Sequence, residues 1–188
     1  MDRLFNNAVG IAHGIAGKAL KNGCTAVDAT AGNGHDTVFL AKLVGTEGRV
    51  YAFDIQWTAV KNTEERLLKE DLLRRVSLIH DGHEKMKQYI SEKVDLVMFN
   101  LGYLPGSDHS CKTNPETTIA AMEQAMDLLK TGGLIIMVIY IGHPGGKLEG
   151  MEIEKKLRAL PQNQWDVVLS RFLNRKNDPP YTAVLQKR

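Results

Sequence analysis

Apolar residues recur along this chain at two periods, and the alternation between the periods divides it into helices and strands. Leu4, Ala8, Ile11, Ile15 and Ala19 follow one another at spacings of three and four, so an amphipathic helix is expected over residues 3–21. Asn22-Gly23 stops it, and Thr25-Ala26-Val27-Asp28 reads as a short buried strand running into a glycine-rich segment. A second helix over His35–Val44 carries Val38, Phe39, Leu40 and Leu43 and ends in the turn Gly45-Thr46-Glu47-Gly48. Arg49–Ile55 is the next expected strand. Trp57–Arg75 is helical by period, with Val60, Leu67, Leu68, Leu72 and Leu73 on its apolar side and Lys61, Glu64 and Arg66 outside.

Val76–His80 is a third strand, a short helix follows over Glu84–Ser91, and Val94–Asn100 is a strongly apolar fourth strand. Residues 101–115 hold no period and are rich in turn formers, which predicts a long loop of the kind that often carries function. Pro115 opens a helix to Leu129, Thr131-Gly132-Gly133 is expected to cap it, and Leu134–Tyr140 is the fifth strand. A second glycine-rich loop, Gly142-His143-Pro144-Gly145-Gly146, leads into a helix over Leu148–Leu160. Trp165–Leu173 and Tyr181–Gln186 close the chain as strands joined by a hairpin loop over Asn174–Pro180.

Strands separated by helix-sized connections pair in parallel, with helices on both faces of the sheet. The last two strands are joined by a loop too short for a crossover, so one of them is expected to run antiparallel. The expected fold is α/β: a doubly wound, mostly parallel, Rossmann-like sheet of seven strands with an antiparallel strand near the C-terminus.

Composition narrows the picture. A chain of 188 residues suits one domain. No stretch approaches the roughly 20 apolar residues needed to cross a bilayer, and the N-terminus lacks the layout of a secretory signal, so a cytoplasmic protein without a membrane partner is expected. Cys24 and Cys111 show no metal or redox spacing. The net charge of +2 hides an asymmetry: residues 151–188 hold eight cations against four acids, +4 there and −2 elsewhere. That basic end would suit phosphates, or it is a solvated helix face with a charged tail.

In a doubly wound sheet the ligand crevice lies beyond the carboxyl ends of the strands, so the strand ends supply the candidates. After the first strand come Asp28, Thr30, Gly32, Asn33, Gly34, His35 and Asp36; after the second, Asp54 and Gln56; after the third, Asp81, Gly82 and His83; after the fourth, Asn100. Gly32 and Gly34 allow a tight turn and close backbone approach to a ligand. The third glycine of a dinucleotide fingerprint is missing, and a carboxylate at Asp36 disfavours pyrophosphate at the helix start. The ammonium and sulfonium groups of S-adenosyl-L-methionine would instead be drawn to Asp28 and Asp36. Asp54, about 20 residues beyond the glycines, suits ribose hydroxyls, and Asp81 suits the adenine amine.

Asp-Ala-Thr-Ala-Gly-Asn-Gly with the acids after strands two and three resembles the motifs of class I methyltransferases over nearly the whole chain. Together with Phe-Asn-Leu-Gly-Tyr-Leu-Pro-Gly, it more narrowly resembles the small bacterial family named putative rRNA methylases, whose members include tRNA wobble-uridine methyltransferases. The resemblance implies methylation of the amine of 5-aminomethyl-2-thiouridine in the tRNA anticodon region. Asn100-Leu101-Gly102-Tyr103 is similar to the Asn-Pro-Pro-Tyr loop of amino methyltransferases, with both prolines absent. That likeness implies that Asn100 positions the target nitrogen, with Leu101 supplying a carbonyl. Tyr103 is a candidate to stack on a base or to pack the loop. His143, ahead of His109 and Asp108, is the candidate proton acceptor. Arg171, Arg175 and Lys176 are candidates to grip RNA, and a homodimer is a candidate assembly. Methylation of a small molecule or of rRNA, and a non-catalytic cofactor-binding module, are the alternative readings.

Overall fold

The computed structural model describes residues 6–102 and 114–188. It contains seven strands, β1 (Thr25–Asp28), β2 (Arg49–Phe53), β3 (Val76–Ile79), β4 (Val94–Leu101), β5 (Leu129–Ile139), β6 (Trp165–Ser170) and β7 (Tyr181–Lys187). The helices are α1 (Ala8–Ala19), α2 (His35–Val44), α3 (Trp57–Lys69), α4 (Met86–Tyr89), α5 (Pro115–Leu128) and α6 (Gly146–Arg158), with 3-10 turns at Leu73–Arg75 and His83–Lys85. The strands form one sheet in the order β3-β2-β1-β4-β5-β7-β6, parallel throughout except for β7, which runs antiparallel to both neighbours. This is the expected doubly wound sheet. Its order reverses between β1 and β4, and the crevice beyond that point is where ligands enter such folds.

Alternation along the strands feeds two cores. Ile135, Met137 and Ile139 of β5 join Val97 and Phe99 under α4–α6, where Met86, Ala121, Met122, Ala125, Ile153 and Leu157 are buried. Leu134, Ile136 and Val138 join Leu96 and Met98 under α1–α3. Among the described residues, no helix is long and apolar enough to cross a membrane.

Three elements depart from expectation for local reasons. In α1 the buried face is Ala8, Ala12, Ala16 and Leu20, while Ile11 and Ile15 are half-buried and Ala19 is exposed. Small side chains bring this helix close to the sheet, and the Thr182 hydroxyl donates to the Ala8 carbonyl at 2.9 Å. Helix α3 ends at Lys69 because Asp71 turns left-handed at φ 54. The Leu72 N–H then closes on the Leu67 carbonyl and the Asp71 N–H on the Leu68 carbonyl, a Schellman motif built without glycine. Strand β5 starts at Leu129, so the expected helix cap at Thr131-Gly132-Gly133 is an irregularity inside a strand, with the pairing slipping between Val94↔Leu129 and Leu96↔Leu134.

Candidate active site

A cavity of about 690 Å³ opens at the β1/β4 switch. Pockets for small molecules and cofactors run from roughly 300 to 1,000 Å³. Its floor is the turn from β1 into α2. There the Ala31 N–H donates to the Phe53 carbonyl at 2.9 Å and the Gly32 N–H to Asp54 Oδ2 at 2.8 Å, tying the turn to the end of β2. Gly32 and Gly34 are left-handed, at φ 52 and 79. Helix α3 braces the turn from outside, with the Thr63 hydroxyl donating to the Gly32 carbonyl at 3.0 Å and Arg66 Nε to the Asn33 carbonyl at 2.8 Å. A Cβ on Gly34 would stand 2.9 Å from Thr63 Oγ1 and 3.0 Å from its Cα. Gly34 thus serves the packing of turn against helix and does not itself line the cavity.

Asp28 also departs from the expected ligand contact. It lies fully buried beneath the turn, accepting from the Thr37 hydroxyl at 2.6 Å and the Thr30 N–H at 3.1 Å. Burial, and then the nearby Asp36 carboxylate, push its carboxyl up to about 7. It is a strut under the turn.

The other candidates of the glycine segment, Thr30, Gly32, Asn33, His35 and Asp36, line the cavity, as do Asp54, Gln56, Asp81, Gly82, His83 and Asn100. Asp54 Oδ1 accepts from the Gln56 N–H at 2.8 Å while Oδ2 holds Gly32, so the carboxylate is fixed at the cavity wall. Asp81 accepts from Lys85 at 2.7 Å, from the Tyr89 hydroxyl at 2.8 Å and from the Gly82 N–H at 2.8 Å, and these bonds hold it down to about 2. His83 Nδ1 lies 2.9 Å from the Ala29 carbonyl, which requires the proton on Nδ1. Burial lowers the pKa of this ring, which favours its neutral form.

Asp36 joins two elements. Its Oδ1 is 2.7 Å from His13 Nε2 of α1 and its Oδ2 is 3.1 Å from Asn100 Nδ2 at the end of β4. The Asn100 N–H donates to the Thr30 hydroxyl at 2.7 Å, linking β4 to the glycine turn. His143 stands apart from this assembly. The β5–α6 turn folds its ring over Gly146, where an added Cβ would meet Nε2 at 2.8 Å, and it is not among the residues that line the cavity. Tyr103, Asp108, His109 and Cys111 lie outside the described residues.

Val9 and His13 of α1, Tyr140 after β5, and Asn114 and Thr117 at the start of α5 also line the cavity and were missed in the sequence. Tyr140 follows a strand end and was open to the same rule that found Asp54. No periodic or motif signal marks His13. The β6–β7 loop sits on this edge too, since Tyr181 pairs with Ile139, next to Tyr140. In that loop Arg171 pairs with Glu154 and lies 4.4 Å over the Tyr181 ring, while Arg175 lies over Phe172 and donates to the Asn6 carbonyl at 2.8 Å.

The cavity wall carries Asp36, Asp54, Asp81 and Glu84 and, among the described residues, no lysine or arginine. Such a wall repels pyrophosphate and suits an adenosyl ligand bearing positive charge. The lining fits S-adenosylmethionine: Asp54 would take the ribose hydroxyls, Asp81, Gly82 and His83 at the β3 end the base, and the turn at Thr30–Gly32 the charged end.

Solved structures bear out the cofactor. A "putative rRNA-methylase" of Clostridium thermocellum superposes with a TM-score of 0.96 at 47% identity, over 98% of this chain and 99% of that one. A "putative methyltransferase" of Streptococcus mutans, solved in complex with SAH, superposes with a TM-score of 0.89 at 33% identity, over 100% and 99%. Fold and site define an S-adenosylmethionine-dependent methyltransferase. Residues 50–186 match the family model described as "Putative rRNA methylase", and the chain belongs to that family. It is also 39% identical over 183 residues to the chloroplastic tRNA (mnm(5)s(2)U34)-methyltransferase of Arabidopsis thaliana, covering 92% of this chain and 66% of that longer protein.

Proposed function

We propose that this chain methylates the amine of 5-aminomethyl-2-thiouridine at the tRNA wobble position, giving the 5-methylaminomethyl form. The observation that carries the reading is Asn100 at the cavity wall, its amide nitrogen committed to Asp36 and its backbone to Thr30. An amide held by its nitrogen offers its oxygen to an N–H of an incoming amine. The likeness to the chloroplastic wobble-uridine enzyme supports the same acceptor.

The bound cofactor supplies a methyl group on a sulfonium, so the chain's own part is alignment and exclusion of water. Asn100 Oδ1 accepts one N–H of the amine and leaves the nitrogen lone pair directed into the cavity. An alkyl amine has a pKa of about 10, so the neutral form must be selected, and a partly enclosed wall favours it by desolvation. The carboxylates of the wall attract the ammonium form on arrival. We place the RNA backbone against the β6–β7 loop, which carries Arg171, Arg175 and Lys176.

The test is to incubate tRNA carrying the unmethylated wobble amine with S-adenosylmethionine and resolve its nucleosides by mass. Gain of one methyl on that nucleoside is expected. No gain, with SAH binding intact, overturns the assignment, and transfer to free alkyl amines without tRNA moves the substrate to a small molecule.

A further inference from the structure

We infer that His13 is a positioning residue of this site, fixing through the Asp36 carboxylate which way round the Asn100 amide sits. The inference rests on the amine-methylating reading above. An amide is nearly symmetric in shape, and only its partners decide where the oxygen points. An ionised carboxylate accepts hydrogen bonds and donates none, whereas the amide donates from Nδ2 alone. With Asp36 Oδ2 3.1 Å from Asn100 Nδ2, the NH2 faces α2 and Oδ1 is turned away from it. The Asn100 backbone is itself anchored on the Thr30 hydroxyl at 2.7 Å, so rotation of the side-chain amide is the freedom that remains.

Asp36 can impose this orientation only if it is itself held. It is 7% exposed, and a carboxylate so enclosed needs donors to replace water. His13 Nε2 provides one at 2.7 Å on Oδ1, the oxygen that Asn100 does not use. The imidazole is fixed in turn by stacking on Phe39, with ring centroids 3.9 Å apart and planes within 9°. The order is therefore Phe39, His13, Asp36, Asn100, running from α1 and α2 across to the end of β4. His13 lies between the buried Ala12 and Ala16 on a helix whose packing needs no histidine, yet it lines the cavity.

Loss of this donor would free the carboxylate to rotate off Asn100 and let the amide turn over. A reversed amide presents NH2 to the amine. It donates to the lone pair that must attack the methyl group, and so blocks the nucleophile instead of aiming it. Cofactor binding does not need the amide orientation, so the defect falls on the chemical step.

The experiment compares wild type with His13→Leu and His13→Gln, the latter carrying an amide donor that can reach Asp36. Three readouts are taken: kcat and KM with unmethylated tRNA, SAH affinity by calorimetry, and the 15N-resolved side-chain resonances of Asn100, assigned by their loss in Asn100→Ala. His13→Leu is expected to lower kcat at least about tenfold, with KM and SAH affinity within about twofold and the Asn100 resonances shifted. His13→Gln is expected to keep kcat within about threefold and to restore the resonances. Unchanged Asn100 resonances in His13→Leu, a loss of SAH affinity matching the loss of kcat, or a His13→Gln as impaired as His13→Leu would each overturn the inference. Should His13→Leu not fold, Asp36→Asn replaces it, and unmoved Asn100 resonances there have the same force. A wild-type protein that methylates no amine sinks the proposed function instead, while the resonances still report on His13.

Discussion

Replacing Asp28 by asparagine changes the pH dependence of stability in a direction fixed by its surroundings. The carboxyl is fully buried, and its pKa is raised from 3.8 to about 7, first by burial and then by Asp36. Below about pH 3.8 folded and unfolded chains both carry the proton, and the titration contributes nothing. Between 3.8 and 7 the unfolded chain releases the proton and the folded one keeps it, so stability falls as pH rises. Above 7 both have released it and the slope vanishes. A shift of that size corresponds to about 4 kcal/mol in all, of which about 2–3 kcal/mol falls between pH 5 and 8. Asparagine keeps the shape without the titration. It still accepts from only one of Thr37 and Thr30 without strain, which subtracts about 1–3 kcal/mol at every pH. Urea unfolding of both proteins at pH 5 and pH 8 isolates the titration, because groups common to both cancel in the difference. The variant should gain about 2–3 kcal/mol on wild type between the two pH values. A difference that stays constant within about 0.5 kcal/mol would show that Asp28 is ionised in the fold across this range and that Thr37 and Thr30 outweigh its burial.

Gly34→Ala combines a left-handed backbone, worth about 1–2 kcal/mol, with a Cβ pressed onto Thr63, worth about 1–3 kcal/mol, so urea unfolding should show a loss of about 2–5 kcal/mol. A loss under about 1 kcal/mol would mean that α3 gives way at no cost. Asp54→Ala removes the acceptor of the Gly32 and Gln56 N–H groups along with the expected ribose contact, and calorimetry should find SAH bound about 10–100-fold more weakly. Unchanged affinity would place the ribose elsewhere.

What the sequence disclosed and what it withheld divide along a physical line. Strands and most helices follow from apolar period alone, and β1 through Asp28 matches its expected limits because an apolar run ends at a charged residue. The end of α3 was hidden because Asp71 performs a turn that glycine usually signals. Gly132-Gly133 misled for the opposite reason, since glycine also marks an irregular strand. At the site, Asp54 was legible because its spacing from the glycines is set by one β-α-β unit, whereas Asp28, equally visible, lies buried beneath the turn and does not line the cavity. Nothing in the sequence separates a carboxylate facing a cavity from one buried a single turn beneath it.

The same line runs through the site itself. The half that suits the cofactor is held by contacts within and between the ends of β1, β2 and β3: Gly32 to Asp54, Gln56 to Asp54, and His83 to Ala29. Each joins one of two side chains, Asp54 or His83, to a backbone group, so a chain with this sheet order and these two residues can reproduce them. On the proposed reading, the half facing the acceptor is assembled from α1, α2, the end of β4, the end of β5 and the start of α5, through side chains such as His13, Asp36, Asn100, Tyr140 and Thr117. Those residues lie far apart in the chain and meet only once the sheet has formed. A fold built in this way keeps one methyl donor while its acceptors diverge, and acceptor specificity must be sought in the side-chain contacts between α1, α2 and β4 rather than in the glycine turn.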